Sequence, residues 1–422
     1  MTAPCPVTEA GPRYGSGVHL RRLIVAALSA VAVAGSLAAC GSDGEGTTAE
    51  TTTTVQTSIA PTGKTTSTEA EVGPDAAYAK KGPNEVGTTS FALADGRRVV
   101  AWYPAAESAA DQPKESFDIA SLLTPELQSQ IPAEKRPIYE IGAHPGADSA
   151  KGGPFPVVLF SHGYAGFPEQ SADLVTHLAS WGFVVVAPDH VERSLSGLLG
   201  TAARGVTKLD DPTVLSQALD VAIVGAAADT SPLNGLLDVE RVAVAGHSAG
   251  ASAAYRAASE EPRIKAFIAY SVAVVGGPAG REKAPVPTVP GMVMAAADDG
   301  VIPFDASKKA YDDMLAPKYL VRIEDAGHLV FSDVCLIGRD LGGLTGLIKE
   351  VGLNLPDQFS RLANDGCEAS DLDPVKAFPA IDHLSVAFLR SVFDIDPTPV
   401  GLDPSVSESF NGADITLTAD PG

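Results

Sequence analysis

The sequence of 422 residues predicts one large α/β domain, built on a mainly parallel, twisted sheet with helices on both faces. Short runs rich in Val, Ile and Ala alternate with segments of helical length and pattern. Strands that read as continuous apolar runs are typical of a parallel sheet that is buried on both faces. A hydrophobic content of 45% is sufficient for the core of such a sheet.

The first element is an export signal at residues 1–39. Arg13, Arg21 and Arg22 precede the apolar run "LIVAALSAVAVAGSLAAC", which has the basic start, apolar centre and small-residue exit of a secretory signal. The residues that end at Cys40 resemble the bacterial lipobox, which implies cleavage before this cysteine and its acylation. The alternative is an ordinary signal cleaved at an Ala-x-Ala-like site, with Cys40 incidental.

Residues 40–82 form the second element, a Thr-rich segment with almost no large apolar side chains. Such a segment cannot bury enough apolar surface to offset its ordering entropy, so we expect a disordered tether. An acylated Cys40 followed by this tether would hold a folded domain at 83–397, with a tail at 398–422, on the outward face of a cell membrane. We expect the protein to be a monomer in the cell envelope.

The charge of the chain bears on its partners. The sequence has 52 acidic and 30 basic residues, a formal net charge of -22. Because this charge repels nucleic acid phosphates, nucleic acid is not an expected partner.

The folded part begins with a predicted hairpin at 85–103, whose turn lies at Ala94, Asp95 and Gly96. The later elements follow from alternating apolar runs and helical patterns. Strands are predicted at 155–163, 182–190, 241–248, 265–275, 289–298 and 318–327. Helices are predicted at 168–181, 212–229, 249–260, 305–315 and 375–393.

Two insertions interrupt this alternation, one after "APDHVERS" and one at 332–374. Cys335 and Cys367 bracket much of the second insertion. In an exported chain Cys5 is removed with the signal and Cys40 is acylated, so these are the two remaining thiols and we expect a disulfide. Closing a loop of about 33 residues would contribute on the order of 3 to 4 kcal/mol in the chain-entropy model. The alternative is two buried free thiols.

The stretch "RVAVAGHSAGASAAYRAAS" carries the strongest chemical signal. A strand delivers Ser248 into a turn, Gly246 and Gly250 permit the turn to be tight, and a helical pattern follows at once. This context places the serine at a helix N-terminus, which favours a developing negative charge. A serine nucleophile also needs a base within hydrogen-bond distance and a carboxylate that orients the base.

Candidates for both partners follow Ser248 along the chain. One predicted strand ends at Asp298 and Asp299, and the next ends at Gly327 and His328. The carboxyl ends of parallel strands meet at one edge of the sheet, where Ser248 is also expected. The chain order Ser, Asp, His is the order found on hydrolase sheets of this kind.

The motifs "GHSAG", "DDGVIP", "DAGH" and "FSHGYAGFPEQSADLVTHLASWGFVVVAPDHVERS" resemble those of α/β-hydrolases. The resemblance covers about residues 85–395. The group it indicates contains platelet-activating-factor acetylhydrolases, bacterial polyester hydrolases and dienelactone-hydrolase-like esterases. It implies an α/β-hydrolase fold with lid-like insertions, a serine esterase activity and no cofactor.

The same resemblance implies residue roles. Ser248 matches the nucleophile and His328 the general base. The family acid is followed by x-Val-x-Pro, which favours Asp299 over Asp298. The oxyanion hole would use the backbone N–H groups of Tyr164 and Ala249.

Other ionisable residues near these motifs have structural interpretations. His162 and His247 lie in turns, and His383 lies inside the last helical pattern, where a packing role is expected. His190 could either line the pocket or pack beneath it. Glu324 and Asp325, just before His328, are expected to be solvated. The sequence shows no zinc-like spacing of His and Cys, so no metal is expected.

These residues predict a hydrolase of carboxylic esters with short to medium acyl groups. Related polyester hydrolases have a methionine where Ala249 stands and a tryptophan in the region that reads "SVAVVGG" here, so aromatic polyesters are not expected substrates. The first alternative is a phospholipase A2-like or acetylhydrolase-like lipid esterase. An alternative of another class is a non-catalytic envelope protein that uses the fold for binding.

Overall fold

A twisted sheet of ten strands organises the part of the chain that the structure describes. This computed structural model describes residues 72–198, 202, 206–274, 284–350, 352 and 361–422. The predicted signal segment, Cys40 and the tether up to residue 71 lie outside these residues.

The strands are numbered in chain order and comprise β1 (Glu85–Ala92), β2 (Arg98–Ala105), β3 (Glu115–Asp118), β4 (Ile138–Ile141), β5 (His144–Pro145), β6 (Phe155–Ser161), β7 (Val184–Pro188), β8 (Leu237–His247), β9 (Ile264–Tyr270), β10 (Gly291–Ala296), β11 (Lys318–Ile323) and β12 (Ile415–Asp420). The α-helices comprise α1 (Pro125–Gln128), α2 (Ala172–Ser180), α3 (Leu195–Leu198), α4 (Asp211–Ala226), α5 (Ala249–Glu260), α6 (Phe304–Asp313), α7 (Gly343–Glu350) and α8 (Pro374–Val392).

The large sheet has the order β12-β11-β10-β9-β8-β6-β7-β2-β1-β5, and β3 and β4 form a separate pair. Its centre is parallel from β11 to β7, whereas β12, β2 and β1 pair antiparallel with their inner neighbours. The predicted mainly parallel sheet is therefore confirmed, with antiparallel strands towards both edges.

Both faces of the sheet are buried, as the continuous apolar runs predicted. In β7, Val185 faces a core that includes Leu178 of α2 and Phe388 of α8. Its neighbour Val184 faces the opposite core, which includes Leu215 of α4. Adjacent strand residues point to opposite faces, so an apolar run satisfies both cores at once.

Local sequence signals explain where the helices start. The Asp210 side chain accepts a hydrogen bond from the Thr213 N–H at the start of α4. The Asp373 side chain does the same for the Val375 N–H at the start of α8. In both helices a proline occupies the first turn, where its missing N–H costs nothing.

The two ends of the domain differ from the expected boundaries. Residues 72–82 were expected to belong to the tether, but Tyr78 is buried and its ring packs edge-on against Trp181, with centroids 4.8 Å apart. Residues 398–422 were expected to be a tail, but they contain β12, which pairs with β11 along its whole length. β12 alternates apolar and polar residues, as an edge strand does, and so lacks the continuous apolar run used to identify the other strands.

The second insertion contains the expected disulfide, since Cys335 and Cys367 are bonded with an S–S distance of 2.02 Å. The first insertion begins with α3, and its residues 199–201 and 203–205 lie outside the described part. None of the described helices combines the length and the hydropathy needed to cross a membrane.

Candidate active site

Ser248 lies in the turn between β8 and α5 with φ +60° and ψ −120°, a strained conformation for a residue with a side chain. The flanking glycines make this turn possible. A Cβ on Gly246 would lie 2.2 Å from the carbonyl oxygen of Gly250, and one on Gly250 would lie 1.8 Å from that of Ser161. The turn therefore presents the serine at the carboxyl edge of the sheet only because both positions lack a side chain.

A continuous hydrogen-bond chain joins Ser248, His328 and Asp299. His328 Nε2 lies 2.8 Å from Ser248 Oγ, and His328 Nδ1 lies 2.8 Å from Asp299 Oδ2. All three side chains are buried. The carboxylate accepts the Nδ1 proton, so Nε2 is left to accept the serine hydroxyl.

The surroundings of Asp299 favour its ionised form. Burial alone would raise the pKa of Asp299, but the hydrogen bond and charge of His328, together with the Ile302 N–H, hold this pKa below its ordinary value. The second oxygen, Oδ1, accepts the N–H groups of Val301 at 2.9 Å and Ile302 at 2.6 Å. A carboxylate fixed in this way can stabilise an imidazolium on His328.

The neighbouring Asp298 occupies a different environment. Its side chain is exposed, and its backbone N–H donates to the Ala326 carbonyl at 3.0 Å. Of the two aspartates at the end of β10, it is Asp299 that contacts His328.

The two expected oxyanion donors lie on opposite sides of Ser248 in sequence. Ala249 is the first residue of α5. Tyr164 lies in the turn after β6, next to Gly163, where a Cβ would come within 3.5 Å of the Ser248 Cβ. The fold thus brings the 162–166 turn beside the serine.

The other histidines considered as bases make buried structural contacts. His190 Nε2 lies 2.9 Å from Ser161 Oγ, and His190 Nδ1 lies 2.8 Å from Asp211. His162 Nε2 accepts the His190 N–H at 3.0 Å. His383 accepts the Tyr78 N–H and donates to the Gly401 carbonyl.

The sequence analysis assigned no role to three further residues at this edge. Asp365, from the disulfide-bonded insertion, accepts the backbone N–H of His328 at 2.5 Å and that of Gly300 at 3.1 Å. Gln170 and Arg193 contact the turn that contains Tyr164. Asp365 and Arg193 lie 30 or more residues from these partners, and Gln170 lies seven residues from Gly163 in an irregular segment, so the folded chain was needed to show the contacts.

A cavity of about 300 Å³ is lined by Asp298 and Gly327, the residues that precede Asp299 and His328 in sequence. Four carboxylates and one guanidinium contribute to its wall, which comprises Asp298, Gly327, Arg361, Asn364, Asp365, Gly366, Glu368 and Asp371. Among the residues that the structure describes, no group of His, Cys, Asp and Glu has the arrangement of a metal site.

Known proteins share parts of this sequence and its fold. Residues 145–336 match a family model described as PETase, PET hydrolase-like. A "Putative carboxymethylenebutenolidase" of Methylorubrum extorquens is 29% identical over 132 residues. That match covers 30% of this chain and 43% of the relative, so the chain spans less than half of the relative's length.

A solved structure supports the fold. The ferulic acid esterase from Streptomyces cinnamoneus aligns with a TM-score of 0.52 and 20% identity, over 80% of this chain and 97% of that chain. The resemblance inferred from the motifs is confirmed, and the chain has the α/β-hydrolase fold.

Proposed function

We propose that this chain, an α/β-hydrolase similar to the PET hydrolase-like family, is a serine esterase that works through an acyl-enzyme. The hydrogen-bond chain from Ser248 Oγ through His328 to Asp299, set on a strained turn at a helix N-terminus, carries this proposal. A protein that used the fold only for binding would have no need of such an arrangement.

In the first half-reaction Ser248 Oγ attacks the ester carbonyl carbon while His328 Nε2 takes the hydroxyl proton. The N–H groups of Ala249 and Tyr164 stabilise the oxyanion that forms. The tetrahedral intermediate then breaks its bond to the alcohol oxygen, and His328 returns the proton to the departing alcohol.

In the second half-reaction a water molecule attacks the acyl carbon and gives its proton to His328. The bond between that carbon and Ser248 Oγ breaks, His328 reprotonates the serine, and a carboxylic acid is released. Asp299 holds the imidazolium in both half-reactions.

Labelling with a fluorophosphonate probe tests the nucleophile. We expect the unchanged protein to be labelled and Ser248→Ala to be unlabelled, with ester hydrolysis lowered by several orders of magnitude. Ser252→Ala is the matched control, because Ser252 lies on the same helix but its hydroxyl donates to the Ala273 carbonyl. Labelling of a folded Ser248→Ala protein would contradict the proposal.

For the substrate, we propose neutral esters with short to medium acyl groups. The two insertions, which we expect to roof the site, carry Leu and Ile but few aromatic residues, and this suits small aliphatic acyl groups. We expect p-nitrophenyl acetate to hexanoate to be hydrolysed with a higher kcat/KM than the palmitate. A maximum at twelve carbons or longer would instead favour the lipid esterase.

We also propose that the mature protein is held at a membrane by an acylated Cys40. Intact-mass analysis of the mature chain tests this, and Cys40→Ser should release the protein from the membrane fraction. A mature N-terminus at another residue would contradict it.

A further inference from the structure

We propose that Arg193 and Gln170 are positioning residues for the oxyanion hole, holding the 162–166 turn from its two sides. This inference rests on the proposed function and extends it to two buried side chains that touch neither the nucleophile nor its base. We call residues 162–166 the oxyanion turn.

Arg193 binds the carbonyl side of the oxyanion turn. Its Nη1 donates to the carbonyl oxygen of His162 and, at 2.9 Å, to that of Gly163. Its Nη2 donates to Ser161 Oγ at 2.9 Å, and its own carbonyl accepts the Ala165 N–H at 2.8 Å. One buried residue therefore contacts both ends of the turn.

These contacts orient the peptide unit that contains the Tyr164 N–H. In a trans peptide the C=O of one residue and the N–H of the next point in opposite directions within one plane. The Gly163 carbonyl also accepts His162 Nδ1–H at 2.9 Å and the Gly166 N–H at 3.2 Å. Arg193 supplies the charged donor of the three and so helps to fix the direction of the Tyr164 N–H. Any rotation of this peptide would turn the proposed donor away from the oxyanion position.

Gln170 binds the amide side of the turn. The Gly163 N–H donates to Gln170 Oε1 at 2.9 Å, and Gln170 Nε2 donates to His247 Nδ1 at 3.1 Å. His247 Nε2 in turn donates to the His328 carbonyl at 2.9 Å. Each group in this chain donates to the next, from the Gly163 N–H to the His328 carbonyl. The chain of hydrogen bonds therefore links the oxyanion turn to the backbone of the catalytic histidine.

This link is kept over a wide pH range. Burial, followed by the charge of His328, lowers the pKa of His247 to about 3, so the ring stays neutral and Nδ1 remains an acceptor. Arg193 is likewise anchored, since its Nε donates to Asp211 Oδ1 at 3.1 Å. The His247 ring and the Arg193 side chain are thus held in place before any substrate binds.

A purely structural role would predict lower stability with unchanged chemistry per folded molecule, whereas a positioning role predicts a specific loss of oxyanion stabilisation. We therefore compare hydrolysis of p-nitrophenyl acetate with that of its thiono analogue, in which sulfur replaces the carbonyl oxygen and gains less from the N–H donors. Arg193→Lys keeps the charge opposite Asp211 but loses the forked guanidinium. Arg263→Lys is the matched control, because Arg263 makes forked contacts with Glu261 and Asp220 away from the turn.

For Arg193→Lys, normalised by fluorophosphonate titration, we expect kcat for the oxygen ester to fall about 10- to 100-fold with KM within about threefold. The ratio of oxygen-ester to thiono-ester kcat should fall by about tenfold, whereas Arg263→Lys should leave it unchanged. Gln170→Leu, which has neither an acceptor for the Gly163 N–H nor a donor for His247 Nδ1, should lower the same ratio and serves as the test if Arg193→Lys does not fold.

An unchanged ratio in a folded variant of an active enzyme would overturn this inference alone. Absence of ester hydrolysis and of probe labelling in the unchanged protein would overturn the proposed function and this inference with it.

Discussion

Within the part of the chain that the structure describes, two aspartate–histidine pairs have both side chains buried, and they differ in their hydrogen-bond partners and charged neighbours. In the pair of the proposed active site, His328 Nδ1 lies 2.8 Å from Asp299 Oδ2. In the second pair, His177 Nδ1 of α2 lies 3.4 Å from Asp382 Oδ2 of α8. All four side chains are buried, so burial alone does not distinguish the pairs.

The partners of the other ring nitrogen assign opposite tautomers. His177 Nε2 donates to the Tyr78 carbonyl at 2.8 Å, so its Nδ1 carries no proton and faces Asp382 as an acceptor. His328 Nε2 instead meets the Ser248 hydroxyl, and its Nδ1 proton faces the carboxylate. Only the arrangement of His328 leaves a ring nitrogen free to accept a proton from a serine.

The carboxylates differ as strongly as the rings. Burial raises the pKa of Asp382 well above its ordinary value, and Asp173 and Asp333 raise it further against the opposing effect of Lys81. The pKa of Asp299 is instead lowered, because N–H donors and His328 surround it. An aspartate next to a histidine thus orients an imidazolium only where nearby donors keep it ionised.

Exchanging each aspartate for asparagine is the strongest way to test this comparison. Asp299→Asn should lower kcat/KM by about four orders of magnitude, because the amide favours the wrong tautomer of His328. Asp382→Asn should change kcat/KM by less than about threefold, since this pair contacts no reacting atom. Steady-state kinetics on both variants and on Asp298→Asn as an exposed control measures the difference.

A larger loss in Asp298→Asn than in Asp299→Asn would move the acid role to Asp298. A large loss in folded Asp382→Asn would show that the second pair supports the chemistry.

The second test concerns stability as a function of pH. Burial, followed by the charge of Asp173, raises the pKa of Asp333 to about 7, against the opposing hydrogen bond from Tyr139. Because the folded state binds this proton more tightly than the unfolded state, its stabilisation is complete below about pH 4 and is lost as the pH rises through about 7.

We expect the unfolding free energy of the unchanged protein to fall by a few kcal/mol more across this window than that of Asp333→Asn. Urea denaturation at a series of pH values measures both. His177, Asp173, Asp382 and Lys81 face the same cluster, and Asp333 raises the pKa of Asp382, so the difference measures Asp333 together with its effect on these neighbours. Parallel curves for the two proteins would contradict the assignment.

The sequence predicted one of these regions and not the other, for a physical reason. Ser248, Asp299 and His328 follow apolar strands directly, and parallel strands bring their carboxyl ends to one edge. Asp173, Asp333 and Asp382 come from a helix, an insertion and another helix, and no local pattern predicts that these segments pack together. No local pattern predicts the pairing of β12 with β11 or the contact of Asp365 with the His328 backbone. Both depend on which segments, distant in sequence, pack together.

The smallest expected effect concerns the hydrogen bond that partly offsets the burial of Asp333. Tyr139 donates its hydroxyl proton to Asp333 Oδ1 at 2.5 Å, which favours the ionised carboxylate. Tyr139→Phe removes this donor, so the pKa of Asp333 should rise further, by about one unit for a hydrogen bond to a charged group. The upper end of the pH window in which stability is lost should rise by the same amount, while its lower end, set by the unfolded state, and ester hydrolysis at pH 7 stay unchanged. The matched control is Tyr139→Phe in the Asp333→Asn background, where the carboxylate that accepts the tyrosine hydroxyl is absent and a much smaller shift is expected. An equal shift in that background would assign the effect to packing of the ring instead of to the hydrogen bond.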